Sequence, residues 1–134
     1  MSPMATTVTV YDETTSGERR RGITLDLPEP TITARELIRA RVFEEVRSYN
    51  QELPERFEGL VQPADAEREL NGYRLKKRRP LDWHEQSRVA LEMFARNGFV
   101  LLVDDRQVES LEEEIRMRPD TRVTFLKLVP LVGG

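Results

Sequence analysis

The sequence has 134 residues, 34% of them charged and 38% hydrophobic, with a formal net charge of −3. That is one domain's length, enough to bury roughly two-thirds of the unfolded surface, and the acidic balance argues against bulk nucleic-acid binding. It has no cysteine, which excludes disulfides, thiolate metal sites and a cysteine nucleophile and fits a cytoplasmic protein.

No apolar run approaches the ~20 residues of a membrane helix. The start "MSPMATTVTV" shows no basic stretch followed by an apolar core, so no signal peptide is expected. Val8 and Val10 alternate with Thr7 and Thr9, and Ile23, Leu25 and Leu27 alternate with Thr24 and Asp26. That period of two predicts a hairpin, with the polar, glycine-containing stretch 14–22 as its turn. Pro28 and Pro30 end the second strand.

"TITARELIRARVFEEVRSY" predicts a helix. Thr33 and Glu36 form a capping box. Leu37, Ile38, Val42, Val46 and Tyr49 give its apolar face, with Arg and Glu on the other. From Asn50 to about Leu81 the pattern is lost among Pro54, Gly59, Pro63, Gly72 and Pro80; "PADAEREL" offers a short helix within a long loop. "LDWHEQSRVALEMFARNGF" predicts a second helix, capped by Asp82, with Trp83, Ala90, Met93 and Phe94 buried and Asn97-Gly98 as the left-handed stop. Phe99–Val103 reads as an apolar strand and Asp104-Asp105 as a tight turn into a short strand at Gln107-Val108. A polar connection with "RPDT" as a turn then leads to a last strand in which Val123 and Phe125 point one way. The order is strand, strand, helix, insertion with an extra helix, strand, short strand, strand. A mixed sheet covered on one face by a helix satisfies the layer rule for an α+β fold.

The chain closes on "RPDTRVTFLKLVPLVGG". Two terminal glycines arise by accident in about one chain in 200. Together with "FVLLVDDRQVESLEEEI", this ending resembles the β-grasp fold of ubiquitin-like proteins, and more specifically the bacterial sulfur carriers of molybdopterin and thiamine synthesis. The match lies in Asp104-Asp105 at the first turn, Val108 in the short strand, Pro119-Asp120 at the second turn, Pro130 before the tail, and Gly133 and Gly134 at its end. It covers roughly residues 5–49 and 98–134, so residues 50–97 read as an insertion within a single ubiquitin-like domain.

The resemblance implies that the protein is not itself an enzyme. A partner adenylating enzyme of the ubiquitin-activating type would use ATP to join the Gly134 carboxylate to AMP, and a second group would then displace the AMP. A thiocarboxylate would make the chain a sulfur carrier; an isopeptide to a lysine would make it a protein modifier. Gly133 and Gly134 lack a Cβ and fit a narrow channel. Leu131 and Val132 would grip it, and Pro130 would stiffen the exit. Leu126, Leu128 and Val129 are candidates for an apolar partner surface. The alternative function is a non-covalent β-grasp adaptor.

Arg74, Lys76, Lys77, Arg78 and Arg79 put five cations within residues 74–79. They read as a solvated loop, with docking to an acidic partner or to nucleic acid as the alternatives. His84, the only histidine, lies on or caps the second helix. Asp104-Asp105 reads as a turn without a third metal ligand, and the run 109–114 as solvated. No glycine-rich phosphate loop or H-E-x-x-H motif is present, and neither a bound cofactor nor a metal is expected.

Overall fold

The computed structural model describes residues 6–15, 17, 22–69 and 72–128. Strand β1 (Thr6–Thr14) pairs antiparallel with β2 (Ile23–Leu27), Val8 opposite Leu25 and Val10 opposite Ile23. This is the hairpin that the alternation predicts. Val8, Val10, Leu25 and Leu27 point inward and are buried.

After bends at residues 28–30, Thr31–Thr33 forms a short strand, β3, which the sequence pattern does not separate from the helix it leads into. The helix α1 begins at Ala34 and runs to Glu52. Its cap is the one expected: the Thr33 hydroxyl accepts the Glu36 N–H at 3.2 Å. The Glu36 carboxylate reaches back and accepts the Thr33 hydroxyl proton at 3.1 Å, while the Ala34 and Arg35 N–H groups donate to the Glu113 and Leu111 carbonyls at 2.9 and 3.0 Å. Leu37, Ile38, Val42, Val46 and Tyr49 are all buried. Leu53, in the left-handed conformation with φ 45°, ends the helix by donating its N–H to the Tyr49 carbonyl.

The stretch expected to hold a short helix instead forms a hairpin of β4 (Ala66–Glu69) and β5 (Gly72–Leu75). Ladder bonds to the partner strand outweigh the local helix preference of "AEREL". Gly72, at φ 141°, takes a conformation that side chains rarely adopt, and a bridge between Phe57 and Tyr73 extends the pairing.

Helix α2 (Trp83–Ala95) starts on Asp82, whose carboxylate accepts the His84 N–H at 3.0 Å. It stops as predicted. Asn97 is left-handed at φ 57°, the Gly98 N–H reaches the Met93 carbonyl at 2.7 Å, and the Asn97 N–H reaches Phe94 at 3.1 Å. These are the two bonds of a Schellman motif. Ala90 and Phe94 are buried, but Met93 is 36% exposed and Trp83 only partly covered. The other buried places on this helix are filled by Gln86 and Ser87.

Strand β6 (Phe99–Val103) turns through Asp104 and Asp105, both at positive φ, into β7 (Arg106–Val108). Two left-handed residues in a two-residue loop match the twist of the flanking strands. Strand β8 (Glu114–Arg116), which lies within the polar connection and is not foreseen from the sequence, pairs with β3. Strand β9 (Val123–Lys127) closes the described chain.

The five-stranded sheet has the order β2-β1-β9-β6-β7, with β1 and β9 parallel at its centre and the other neighbours antiparallel. One apolar cluster runs from Val8 and Val10 through the α1 face to Leu101, Val123 and Phe125, and takes in Phe57, Leu60, Val61 and Leu75 of the inserted segment. The protein is therefore α+β, with a mixed sheet and two helices. No described helix is long and apolar enough to cross a membrane.

Candidate functional site

The terminal residues Gly133 and Gly134, the preceding Pro130, Leu131 and Val132, and Val129 lie outside the described residues. What can be built is the strand that leads to them. Along β9 the pleat sends Val123, Phe125 and Lys127 to one face and Thr124 and Leu126 to the other. Val123 and Phe125 are fully buried.

Lys127, in phase with them, meets a polar cluster beneath the end of the strand. Its Nζ donates to the Gly59 carbonyl at 3.0 Å and lies 3.6 Å from the Asp12 carboxylate. Arg41, with no exposed surface, forks onto Asp12 through Nη1 and Nη2, the latter at 2.8 Å. Its Nε donates to Glu45 at 2.5 Å, and its guanidinium lies 4.5 Å above the centre of the Phe125 ring. The second Glu45 oxygen accepts the Leu60 N–H at 3.1 Å.

The cluster ties β1, α1, β9 and the inserted segment at one point. Burial alone would push the Asp12 pKa up; the adjacent Arg41 cation, with Lys127 behind it, outweighs this and holds it below its ordinary value. Burial also works against the Arg41 charge, but Glu45 and Asp12 raise its pKa.

The expectation that Arg and Glu of α1 face away from the core is corrected at these two positions. Arg41 stands one turn beyond Leu37 and Ile38, and Glu45 one turn further, inside the apolar stripe. Asp12 stands in phase with Val8 and Val10. The spacing carried this signal, although residue type alone suggested solvated charges.

Gly59 belongs to the same junction. A Cβ there would meet the Phe57 ring at 2.1 Å. That ring is buried and edge-on to Tyr49 at 5.3 Å, so it has little room to yield. Gly59→Ala is expected to destabilise the fold by about 1–3 kcal/mol through overpacking. Urea denaturation would check this; an unchanged midpoint would mean the ring moves freely.

The opposite face of the sheet carries the apolar candidates. Leu126 lies between Glu13 of β1 and Val100 of β6, and Thr124 between Tyr11 and Leu102. Leu126, Val100 and Leu102 are half-buried, and Leu128 is 42% exposed. Leu126 and Leu128 therefore belong to a surface that includes Val100 and Leu102, two residues of the apolar strand that are not among the surface candidates from sequence. The Arg122 guanidinium, 5.7 Å from the Tyr11 ring, stands at its border.

The basic run divides. Arg74 pairs with Glu69 at 3.2 Å within the inserted hairpin, and Arg79 donates to the Ala64 carbonyl at 2.9 Å. Lys76, Lys77 and Arg78 are exposed. His84 is exposed on α2 beside Trp83. Among the described residues no three His, Cys, Asp or Glu side chains are grouped to hold a metal ion. Comparison with known proteins finds no match to this chain, whether among family models, curated proteins or solved structures.

Proposed function

We propose that this chain is a ubiquitin-like β-grasp protein, used as a substrate rather than as an enzyme, whose Gly134 carboxylate is activated by an adenylating partner. The observation that carries the reading is the sheet order β2-β1-β9-β6-β7 with its central parallel pair, crossed on one face by α1. This is the topology expected of a β-grasp, and it puts the last described strand in the middle of the sheet. A strand held on both sides is a rigid base for the residues that follow it.

In the proposed reaction a carboxylate oxygen attacks the α-phosphorus of ATP and pyrophosphate leaves. The acyl adenylate then loses AMP to a sulfur or amine nucleophile. The product is a thiocarboxylate for a sulfur carrier or an amide for a protein modifier. The face formed by Val100, Leu102, Leu126 and Leu128 would dock the activating enzyme.

The test is to incubate the full chain with ATP and an adenylating enzyme and to follow its intact mass. A gain of one AMP group, followed by its exchange for sulfur or a lysine-linked partner, supports the proposal. A chain unchanged by every cognate adenylating enzyme counts against it.

Leu128→Asp is expected to slow activation about 10-fold or more by placing a charge in the docking face. It should alter stability by less than about 0.5 kcal/mol, since the residue follows the last strand and is 42% exposed. Initial rates and urea midpoints measured together would separate the two effects. An adaptor would differ in one respect: its partner binding would be lost in Leu128→Asp but kept when the tail is removed.

A further inference from the structure

We propose that the groove between α1 and the start of α2 is a second docking surface, which takes an acidic, amphipathic peptide segment of a protein partner. Its apolar side chains would seat against Phe43 and Trp83, and its carboxylates against Arg39 and the basic run 76–78. The surface shares no residue with the sheet face and does not depend on acyl transfer.

The groove encloses about 390 Å³ and is lined by Phe43, Val46, Arg47, Asn50, Leu81 and Trp83, among others. Phe43 is 47% exposed, an uncommon place for a large ring on a helix that already buries a full apolar face. It meets Trp83 edge-on at 5.4 Å, and the indole N–H of Trp83 donates to the Arg39 carbonyl at 3.3 Å, which fixes the ring. The floor is equally fixed. The Asn50 amide donates to the Leu81 carbonyl at 3.0 Å and its oxygen accepts the Leu81 N–H at 2.8 Å. The cleft is thus already formed, and little ordering cost would fall on binding. From Arg39 to Asn50 its wall spans three turns of α1, roughly 16 Å, the length of an 11-residue helix.

Charge selects the occupant. Three carboxylates beside the groove are already engaged: Glu44 with Arg47 and Glu85 with Arg88, each at 2.5 Å, and Asp82 as the α2 cap. Arg39 lies 5.4 Å from the centre of the Trp83 ring and has no ion-pair partner among the described residues. Lys76, Lys77 and Arg78 are exposed just before Leu81, with Arg78 at most about 11 Å of chain away from it. A chain of net charge −3 therefore leaves Arg39 unpaired over the aromatic wall, with three exposed cations a short way up the chain from Leu81. An apolar cleft with Arg39 on its aromatic wall and the basic run 76–78 upstream is complementary to a segment that alternates apolar anchors with Asp or Glu.

Trp83 is the only tryptophan in the sequence, so its fluorescence reports occupancy directly. A phage-displayed library of random peptides of about 16 residues would be selected on the full chain, and enriched peptides titrated against it. The expected binders combine acidic residues with apolar anchors one helical turn apart, shift the Trp83 emission, and weaken as salt rises. They should bind about 10-fold or more weakly to Phe43→Ala, and likewise to Arg39→Glu. Both changes are on exposed positions, and a matched urea midpoint would show that the fold is kept. Removing Gly133 and Gly134 should leave peptide binding unchanged, so this proposal and acyl transfer fail separately. The proposal is overturned if no peptide is enriched, if binders lack acidic residues, or if they ignore Phe43→Ala. Displacement of the peptides by single-stranded RNA, or a Trp83 signal that follows protein concentration alone, would assign the groove to nucleic acid or to a second copy instead.

Discussion

Arg41→Ala is expected to lower the free energy of unfolding by about 3–5 kcal/mol, the cost of leaving buried charges without their partner. Arg41 is wholly enclosed and holds both Asp12 and Glu45. Its removal leaves Asp12 with only Lys127 at 3.6 Å and opens a void over the Phe125 ring. Because Glu45 also anchors the Leu60 N–H, the loss spreads into the inserted segment. Urea denaturation gives the magnitude. A loss below about 1 kcal/mol would mean that water reaches the cluster and that the burial seen here is not maintained in solution. Removing Arg41 and Asp12 together should cost less than the two single losses combined, because the pair acts as a unit.

The acid limb gives a second readout of the same cluster. Asp12 has a folded pKa below its ordinary value of 3.8. Such a carboxyl stabilises the fold above its unfolded pKa, and that contribution is lost as pH falls through the folded one. Wild type should therefore weaken below about pH 4. In Arg41→Ala, burial acts on Asp12 with only Lys127 to oppose it, so protonation relieves the variant. The stability gap between the two proteins should narrow toward pH 3. A gap that is constant with pH would place the effect in packing rather than in charge.

Deleting Gly133 and Gly134 is expected to abolish activation, by at least about 100-fold, with the unfolding midpoint unchanged. The deletion draws the carboxylate back by about 7 Å of extended chain. Attack on phosphorus needs the reacting atoms within about 3–3.5 Å, and misplacement by even 1 Å costs about 100-fold. The deletion also puts Val132 at the end, with a branched Cβ where a narrow channel would require none. Strand β9 ends at Lys127, so no described contact of the core is removed. A substitution that keeps the length, Gly134→Val, should also fail, which separates bulk from reach. Intact mass after incubation with ATP and the activating enzyme reads both variants, and normal acylation of either would remove the basis of the proposed function.

Local pattern determined a large part of this fold on its own. The first hairpin, the Thr33 cap, the apolar stripe of α1, the Asn97-Gly98 stop, the Asp104-Asp105 turn and the inward Val123 and Phe125 all depend on neighbours within a few residues. Steric and hydrogen-bonding rules fix such features wherever the chain goes. The phase of the charged residues was legible as well, since Asp12, Arg41, Glu45 and Lys127 all occupy core-facing positions in their elements.

Tertiary structure decided what depends on partners distant in sequence. "TIT" became a strand because Glu114–Arg116 lies alongside it, some eighty residues on. On α2, Met93 remained exposed, whereas the polar Gln86 and Ser87 were buried. The sheet order follows from β9 entering between β1 and β6, a pairing across more than a hundred residues. Ladder bonds and burial at such separations are properties of the assembled layers, so no window of the sequence contains them.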